Sequence, residues 1–318
     1  MAISRFILSR LLQMLVVVVG TVTVLFVVLY FFVPGDAAQT LLGHRATPES
    51  LENLRRELGL DRPVWTQYGI YMWRLAHLDL GTSYELNRSV SSIIITYLPA
   101  TAYLATAALL LELTFGIGWG AVLVARRSSW LENASTAMSA VLLATPVFFL
   151  GMLLQYILAS RLKLLPISGM GGWNPLNLVL PSLTLAAAQM VVIAGVMKTS
   201  LQSETNKLYM VAARARGLTR RSAILRHGMR NAMAPVITLL ALDFGMLLGG
   251  TVITEIVFSW PGLGRMTYTA AKAQDVPLVL GSVLFLVAIF VIMNSLVDIL
   301  YGVLDPRVRM GGKRWRET

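Results

Sequence analysis

Few residues in this 318-residue sequence could carry out covalent chemistry, and their positions narrow the choice. There is no cysteine, and His44, His77 and His227 are the only histidines. Their spacing assembles no metal-ligand set and supplies no nucleophile–base pair, so neither a thiolate metal site nor an intramembrane hydrolase is supported. No Gly-x-x-x-x-Gly-Lys-Ser/Thr segment exists, so the chain has no phosphate cradle of its own. Four acids interrupt otherwise apolar runs: Glu112, Asp243, Glu255 and Asp298. A charge facing lipid costs roughly 2.5–3.5 kcal/mol on insertion scales, so each acid should face a bundle interior, an aqueous path or a partner. Glu255 and Asp298 lie near the ends of their runs, where solvation accounts for them. Glu112 and Asp243 lie deeper. For these two, a transport-pathway or helix-pairing role stands beside a purely structural one, and no neighbouring pattern makes them a proton relay.

The densest cluster of charge is a basic stretch that reads Tyr209-Met210-Val211-Ala212-Ala213-Arg214-Ala215-Arg216-Gly217-Leu218-Thr219. It continues through Arg220, Arg221, Leu225, Arg226, His227, Arg230 and Asn231 to Pro235. Ala212, Ala213 and Ala215 favour a helix while keeping its surface thin. Gly217 supplies a left-handed exit, and Thr219 can cap a second helix. The pattern predicts two short helices lying across one end of a bundle, with small residues that let another protein's groove close around the backbone. The alternative is a basic loop that only fixes orientation in the membrane.

The elements that must position these groups are membrane-spanning. The chain is 56% hydrophobic and 14% charged, against about 25% charged in an average soluble domain. Residues 11–33 carry no charge. At about 1.5 Å rise per residue, a run of that length crosses a ~30 Å hydrocarbon layer. It is longer than a secretory h-region and closes on Phe31-Phe32-Val33-Pro34, which predicts a retained helix rather than a cleaved signal. Five further runs, 98–124, 134–158, 178–197, 235–258 and 277–304, complete six expected spans in a single all-α transmembrane domain. An extracytoplasmic loop is expected at 34–97 and a cytoplasmic loop at 198–234. With six spans both termini share a face, and that face carries 17 Lys and Arg against 4 acids, the other 10 against 8. The basic excess places both termini in the cytoplasm. Clustered Arg interleaved with aromatic residues on a soluble face is absent, which argues against nucleic acid as a partner.

Within the first loop, Thr47-Pro48, then Leu51, Leu54 and Leu58, then Gly59, spell a capped amphipathic helix. Trp65, Tyr68, Tyr71 and Trp73 follow and suit either the headgroup level or an ordinary packed loop. Gly116 with Gly120, and Gly245 with Gly249, have the spacing that lets helix backbones approach closely in a bilayer. Pro146 and Pro181 are expected to kink their spans.

The basic stretch resembles the coupling loop of ABC importer permeases, whose general form is Glu-Ala-Ala, three residues, then Gly. Here Val211 holds the Glu position, while Ala212, Ala213 and Gly217 fit. It is most similar to the dipeptide/oligopeptide/nickel branch, through Ala213-Arg214-Ala215-Arg216-Gly217-Leu218, Arg226-His227-Gly228-Met229-Arg230-Asn231 and Pro235. Lys207 stands where that branch often has an acid. The resemblance extends in order through Gly59-Leu60-Asp61-Arg62-Pro63, Asp79-Leu80-Gly81-Thr82-Ser83, Leu98-Pro99-Ala100-Thr101, Thr145-Pro146, Pro166-Ile167-Ser168-Gly169, Phe258-Ser259-Trp260-Pro261-Gly262-Leu263-Gly264 and Leu304-Asp305-Pro306-Arg307.

Membership in that family implies a multi-pass subunit of a bacterial or archaeal cytoplasmic (inner) membrane. Its implied partners are a second, homologous permease, two cytoplasmic ATPases that use ATP and Mg, and an extracytoplasmic solute-binding protein. The resemblance assigns residues 209–218 to an ATPase cleft, and Ser259, Trp260, Pro261, Gly262 and Gly264 to the binding-protein side. It implies di- or oligopeptides as cargo. Nickel or a metal chelate is the alternative, because Arg74 through Asp79 and Gly171-Gly172-Trp173 also look similar to nickel-type members. A different-class alternative is an ion-driven carrier or channel, which intramembrane acids fit and which would need no ATPase.

Overall fold

The computed structural model describes residues 2–32, 37–43 and 46–304. His44 and the Asp305-Pro306-Arg307 motif lie outside these residues, as does the side chain of Asp298. The described chain is almost wholly helical, with one isolated bridge between Thr82 and Ser89. In chain order the helices begin with α1 (Ala2–Val27), α2 (Ala37–Leu42), α3 (Pro48–Leu58), α4 (Val64–Ala76), α5 (Val90–Leu111), α6 (Ile117–Arg126), α7 (Ser129–Ala144) and α8 (Val147–Leu154). They continue with α9 (Pro175–Thr205), α10 (Leu208–Ala215), α11 (Arg220–Ala223), α12 (Met229–Gly250), α13 (Val252–Val257), α14 (Leu263–Lys272) and α15 (Val276–Leu304).

Among the described residues, five helical stretches are long and apolar enough to cross a membrane: Leu12–Phe31, Val90–Arg126, Pro175–Thr205, Arg220–Leu247 and Val276–Leu296. A sixth exists if Ser129–Ala144 and Val147–Arg161 form one span. The kink expected at Pro146 within the run 134–158 is a full break, because these two helices meet at 108°. The cause is Thr145-Pro146. A residue before proline is pushed out of the helical region, and Thr145 and Pro146 both adopt extended backbone, with ψ of 122° and 139°.

The chain divides into two compact units. The first holds the described residues up to Thr101 together with Pro261–Val291. Its core packs Val22 and Phe26 of α1 against Tyr71 of α4 and Leu280 and Leu284 of α15. A second cluster joins Val90, Ile93 and Ile94 of α5 to Leu263 and Met266 of α14 and Leu278 and Val279 of α15. Asp275 caps α15 by accepting from the Leu278 amide at 3.2 Å, and it also takes the Ser83 hydroxyl at 2.5 Å and the Glu85 amide at 3.1 Å. One buried carboxylate thus fastens the loop after α4 to the start of the last helix. In α3, Thr47 Oγ1 accepts from the Ser50 amide at 3.2 Å, and Gly59 closes the helix at φ +69°.

The second unit holds Ala102–Trp260 and the described residues from Ile292 onward. Its core is α6, α9 and α12, where Ile117, Ala121 and Val124 meet Ile193, Met197 and Leu201, and then Ala232, Val236 and Leu240. Gly116 and Gly120 make the close approach that their spacing predicts. A methyl group on Gly120 would lie 2.6 Å from the Ala194 carbonyl oxygen, and one on Gly116 would lie 2.7 Å from Ile193 Cγ2. The surroundings of Gly249 in the second glycine pattern lie outside the described residues. Because the obstacle at Gly120 is backbone, Gly120→Val should destabilise α6 against α9 by about 1–3 kcal/mol. A lowered melting temperature of the purified chain, with Gly118→Val as a control in open space, checks this.

Candidate coupling site

The residues from 204 to 235 form a clamped helix with one bare face. The α10 helix begins after Lys207 and buries Met210 and Ala213 against Met197, Leu201, Ala223 and Ile224. A polar chain fastens its first turn. Glu204, at the end of α9 and only 7% exposed, accepts the Tyr209 hydroxyl at 2.5 Å and Lys207 Nζ at 2.5 Å. Asn231 Nδ2 of α12 donates to the same Tyr209 oxygen at 3.0 Å. The phenol thus donates to one partner and accepts from the other, its full natural role. Ser200 Oγ donates to the Ala232 carbonyl at 3.0 Å and ties α9 to α12 a second time. Tyr209 holds its proton above the usual phenol range, first through desolvation and then through its bond to Glu204. Lys207 is likewise raised, first by its hydrogen bond to Glu204. Both contributions are fully present below the ordinary values and are lost only as pH rises through the folded ones, so the clamp persists throughout the neutral range.

The opposite face of α10 has no partner among the described residues. Leu208 is 87% exposed and Val211 55%, with exposed Ala212 and Ala215 completing the i, i+3, i+4, i+7 stripe. Arg214, Arg216 and Gly217 are also exposed. Gly217 sits at φ +89° with nothing within 4 Å of where a Cβ would lie. Its requirement within the chain is therefore a left-handed backbone, which strains other residues by about 1–2 kcal/mol, rather than lack of room. Thr219 Oγ1 accepts from the Ser222 amide at 3.3 Å and caps α11.

The expectation of a second short helix ending before a span at 235 is corrected. From Arg220 the chain runs through α11, a π-helical turn at Ile224–Gly228 and α12 as one long candidate span. The π turn absorbs the extra residue without ending the helix. Arg226, His227, Arg230 and Asn231 therefore sit, all exposed, on the extension of that span, and Pro235 lies within α12. Sequence reasoning passed over Glu204. The signal that could have found it is an acid followed by Lys207 and Tyr209 at helix-end spacing.

Glu112 and Asp243 are brought together. Glu112 is fully buried where α5 passes into the π turn Glu112–Gly116, and its side chain lies within hydrogen-bonding reach of Asp243 on α12. No other described group donates to either Glu112 oxygen or to Asp243 Oδ2. Two ionised carboxylates can only accept, so this contact holds when one of them carries a proton. Glu255 is fully buried rather than solvated at a span end, and its Oε1 accepts the Thr251 hydroxyl at 2.9 Å.

The expected docking surface at 259–264 is corrected in part. Trp260, Gly262 and Gly264 are buried and only Ser259 is exposed, with Pro261 intermediate. Trp260 stacks near Tyr103 with ring centroids 6.3 Å apart, and the Phe258 carbonyl accepts the Gly169 amide at 2.7 Å. The segment is a structural corner in which the tryptophan and the glycines pack inside the chain. His77 Nδ1 lies 2.9 Å from the Trp73 carbonyl oxygen, within its own helix turn.

Comparison with known proteins identifies the family of the chain. Residues 3–105 match the family model "Binding-prot-dependent transport system membrane comp, N-term". The dipeptide transport system permease protein DppB of Alkalihalophilus pseudofirmus is 33% identical over 326 residues, covering 94% of this chain and 98% of that protein. The glutathione transport system permease protein GsiC of Escherichia coli O6:H1 is 33% identical over 305 residues, covering 95% and 99%. GsiC of Pectobacterium atrosepticum is 35% identical over 294 residues, covering 92% and 95%. Among solved structures, an inward-facing MetNI methionine ABC transporter chain matches with a TM-score of 0.53 and 15% identity, covering 68% of this chain and 97% of that one, a likeness of fold. With residues 112–310 matching its model, the chain belongs to the family described as the binding-protein-dependent transport system inner membrane component.

Proposed function

We propose that the chain is one of two pore-forming permease subunits in a peptide importer. Two ATPase subunits, using ATP and Mg, drive it from the cytoplasm, and an extracytoplasmic binding protein delivers the solute. The observation that carries this is a rigidly clamped helix, α10, whose bare face is apolar (Leu208, Val211) and otherwise small (Ala212, Ala215). Exposed leucine on a short, tightly held helix beside arginines fits insertion into another protein's groove, the helix-in-groove mode of recognition. Because Glu204, Tyr209 and Asn231 fasten α10 to α9 and α12, a displacement of α10 would be passed to two spans at once. That is what a bistable change between two packings requires. Relatives named for dipeptide and glutathione transport favour peptides over nickel or a metal chelate as cargo.

The test is reconstitution of the chain with its partner permease, ATPases and binding protein in liposomes. ATP-dependent uptake of a labelled dipeptide is the expected result. Uptake by this chain alone without ATP would instead favour an ion-driven carrier and reject the proposal.

A further inference from the structure

The first unit contains a polar cavity of about 190 Å³ that coupling does not use. Its floor is made by Phe26 and Tyr30, where the first span ends, and by Val276, Pro277 and Leu280, where the last span begins. Two span ends mark the boundary of the hydrocarbon layer, so the cavity lies at headgroup depth. The α4 helix supports that depth independently. Its Gln67, Ile70, Tyr71 and Arg74 face the cavity, while Trp65 and Trp73, each about 70% exposed (72% and 71%), lie on its other side. Exposed tryptophans are characteristic of the membrane interface.

The wall is built for an anion. Arg56, Arg62 and Arg74 line it against a single acid, Glu57. Arg56 is paired with Glu52, whereas neither Arg62 nor Arg74 forms an ion pair among the described residues. The Tyr71 side chain is buried, 9% exposed, and its hydroxyl has no hydrogen-bond partner among the described residues. A buried polar group left unpaired costs roughly 1–3 kcal/mol, so a missing partner is expected there. Burial first, and Asp79 second, push the Tyr71 hydroxyl up, and burial pushes Tyr84 up to about 12, so both retain a proton to donate. Tyr30 donates to Gln67 Oε1, whose amide donates to the Arg62 carbonyl at 2.8 Å, and this holds the wall to the end of the first span.

We infer that this cavity binds the phosphodiester of an anionic phospholipid headgroup, with Arg62, Arg74 and the Tyr71 hydroxyl as its donors. Guanidinium groups suit phosphate oxygens because they present parallel N–H donors. A peptide carboxylate or a free phosphate would meet the same donors, so the source must be separated by experiment.

Native mass spectrometry of the full-length chain, with graded phosphatidylglycerol, tests the inference. The expected result is one saturable phosphatidylglycerol per chain that R62Q/R74Q weakens by at least about tenfold and Y71F by about threefold. Tyr71→Phe keeps the ring that packs on Phe26 and Leu280, so its loss of binding cannot be a folding defect if its melting temperature is unchanged. Equal lipid occupancy in the wild type and all variants would overturn the inference. Displacement of the bound lipid by equimolar glycerol 3-phosphate or dialanine would also overturn it, since the site would then belong to a soluble anion.

Discussion

Glu204→Ala should lower solute uptake at least tenfold while the chain still reaches the membrane. The carboxylate is buried at the junction of α9, α10 and α12 and accepts both the Tyr209 hydroxyl and the Lys207 ammonium. Lys207 is half exposed, so water screens its share of the interaction. The bond to Tyr209 carries most of the effect. A hydrogen bond to a charged acceptor contributes about 1.5–3 kcal/mol, which at ~1.4 kcal/mol per decade displaces the seated position of α10 by about ten- to a hundredfold. Glu204→Gln should be milder, because its carbonyl oxygen still accepts from Tyr209. The measurement is uptake per ATP hydrolysed in reconstituted transporter. A loss of that ratio with ATPase activity retained identifies a coupling defect, and unchanged uptake in both variants would contradict the clamp.

The second large effect is expected at the bare face of α10. Leu208→Asp together with Val211→Asp should abolish co-purification with the ATPase subunits. Neither side chain touches the core of this chain, so its own melting temperature should hold. Residues central to an interface typically cost 2 kcal/mol or more when lost, about thirtyfold in affinity for one such residue. Placing two carboxylates against a desolvated groove adds a charge-burial cost to the lost contact. Arg214→Ala, at the edge of the same face, should matter far less, since rim charges are solvated and mainly affect association rate.

The transmembrane helices were legible in the sequence because the bilayer leaves so few options. Uninterrupted apolar runs such as residues 11–33 and 178–197 have little reading other than a spanning helix. The turn chemistry of residues 47–59 and 217–219 was legible for a local reason, since Thr47, Gly59, Gly217 and Thr219 act on backbone within a few residues. Tertiary placement was not legible. Glu204 was passed over because its role emerges only where its bond to Tyr209, and Tyr209's bond to Asn231, join α9, α10 and α12. Glu112 and Asp243 stand far apart in the chain, and only the packing of α6, α9 and α12 brings their carboxyls together. Trp260, an aromatic beside a Pro-Gly turn, had the composition of a surface loop but fills the core. Thr145-Pro146 announced a break whose 108° angle depends on neighbours that no local pattern names.

That angle gives the account its sharpest point of exposure. If Ser129–Ala144 and Val147–Arg161 cross the membrane together, α10 follows the fourth span and lies in the cytoplasm. If they enter and return on one side, it follows the third and lies outside. The chain has no cysteine, so a single cysteine at Val211 reports directly. With a membrane-impermeant maleimide, no labelling of intact cells is predicted. Labelling should appear in inverted vesicles stripped of ATPase subunits and disappear when those subunits rebind. Labelling of Val211→Cys in intact cells would contradict the account.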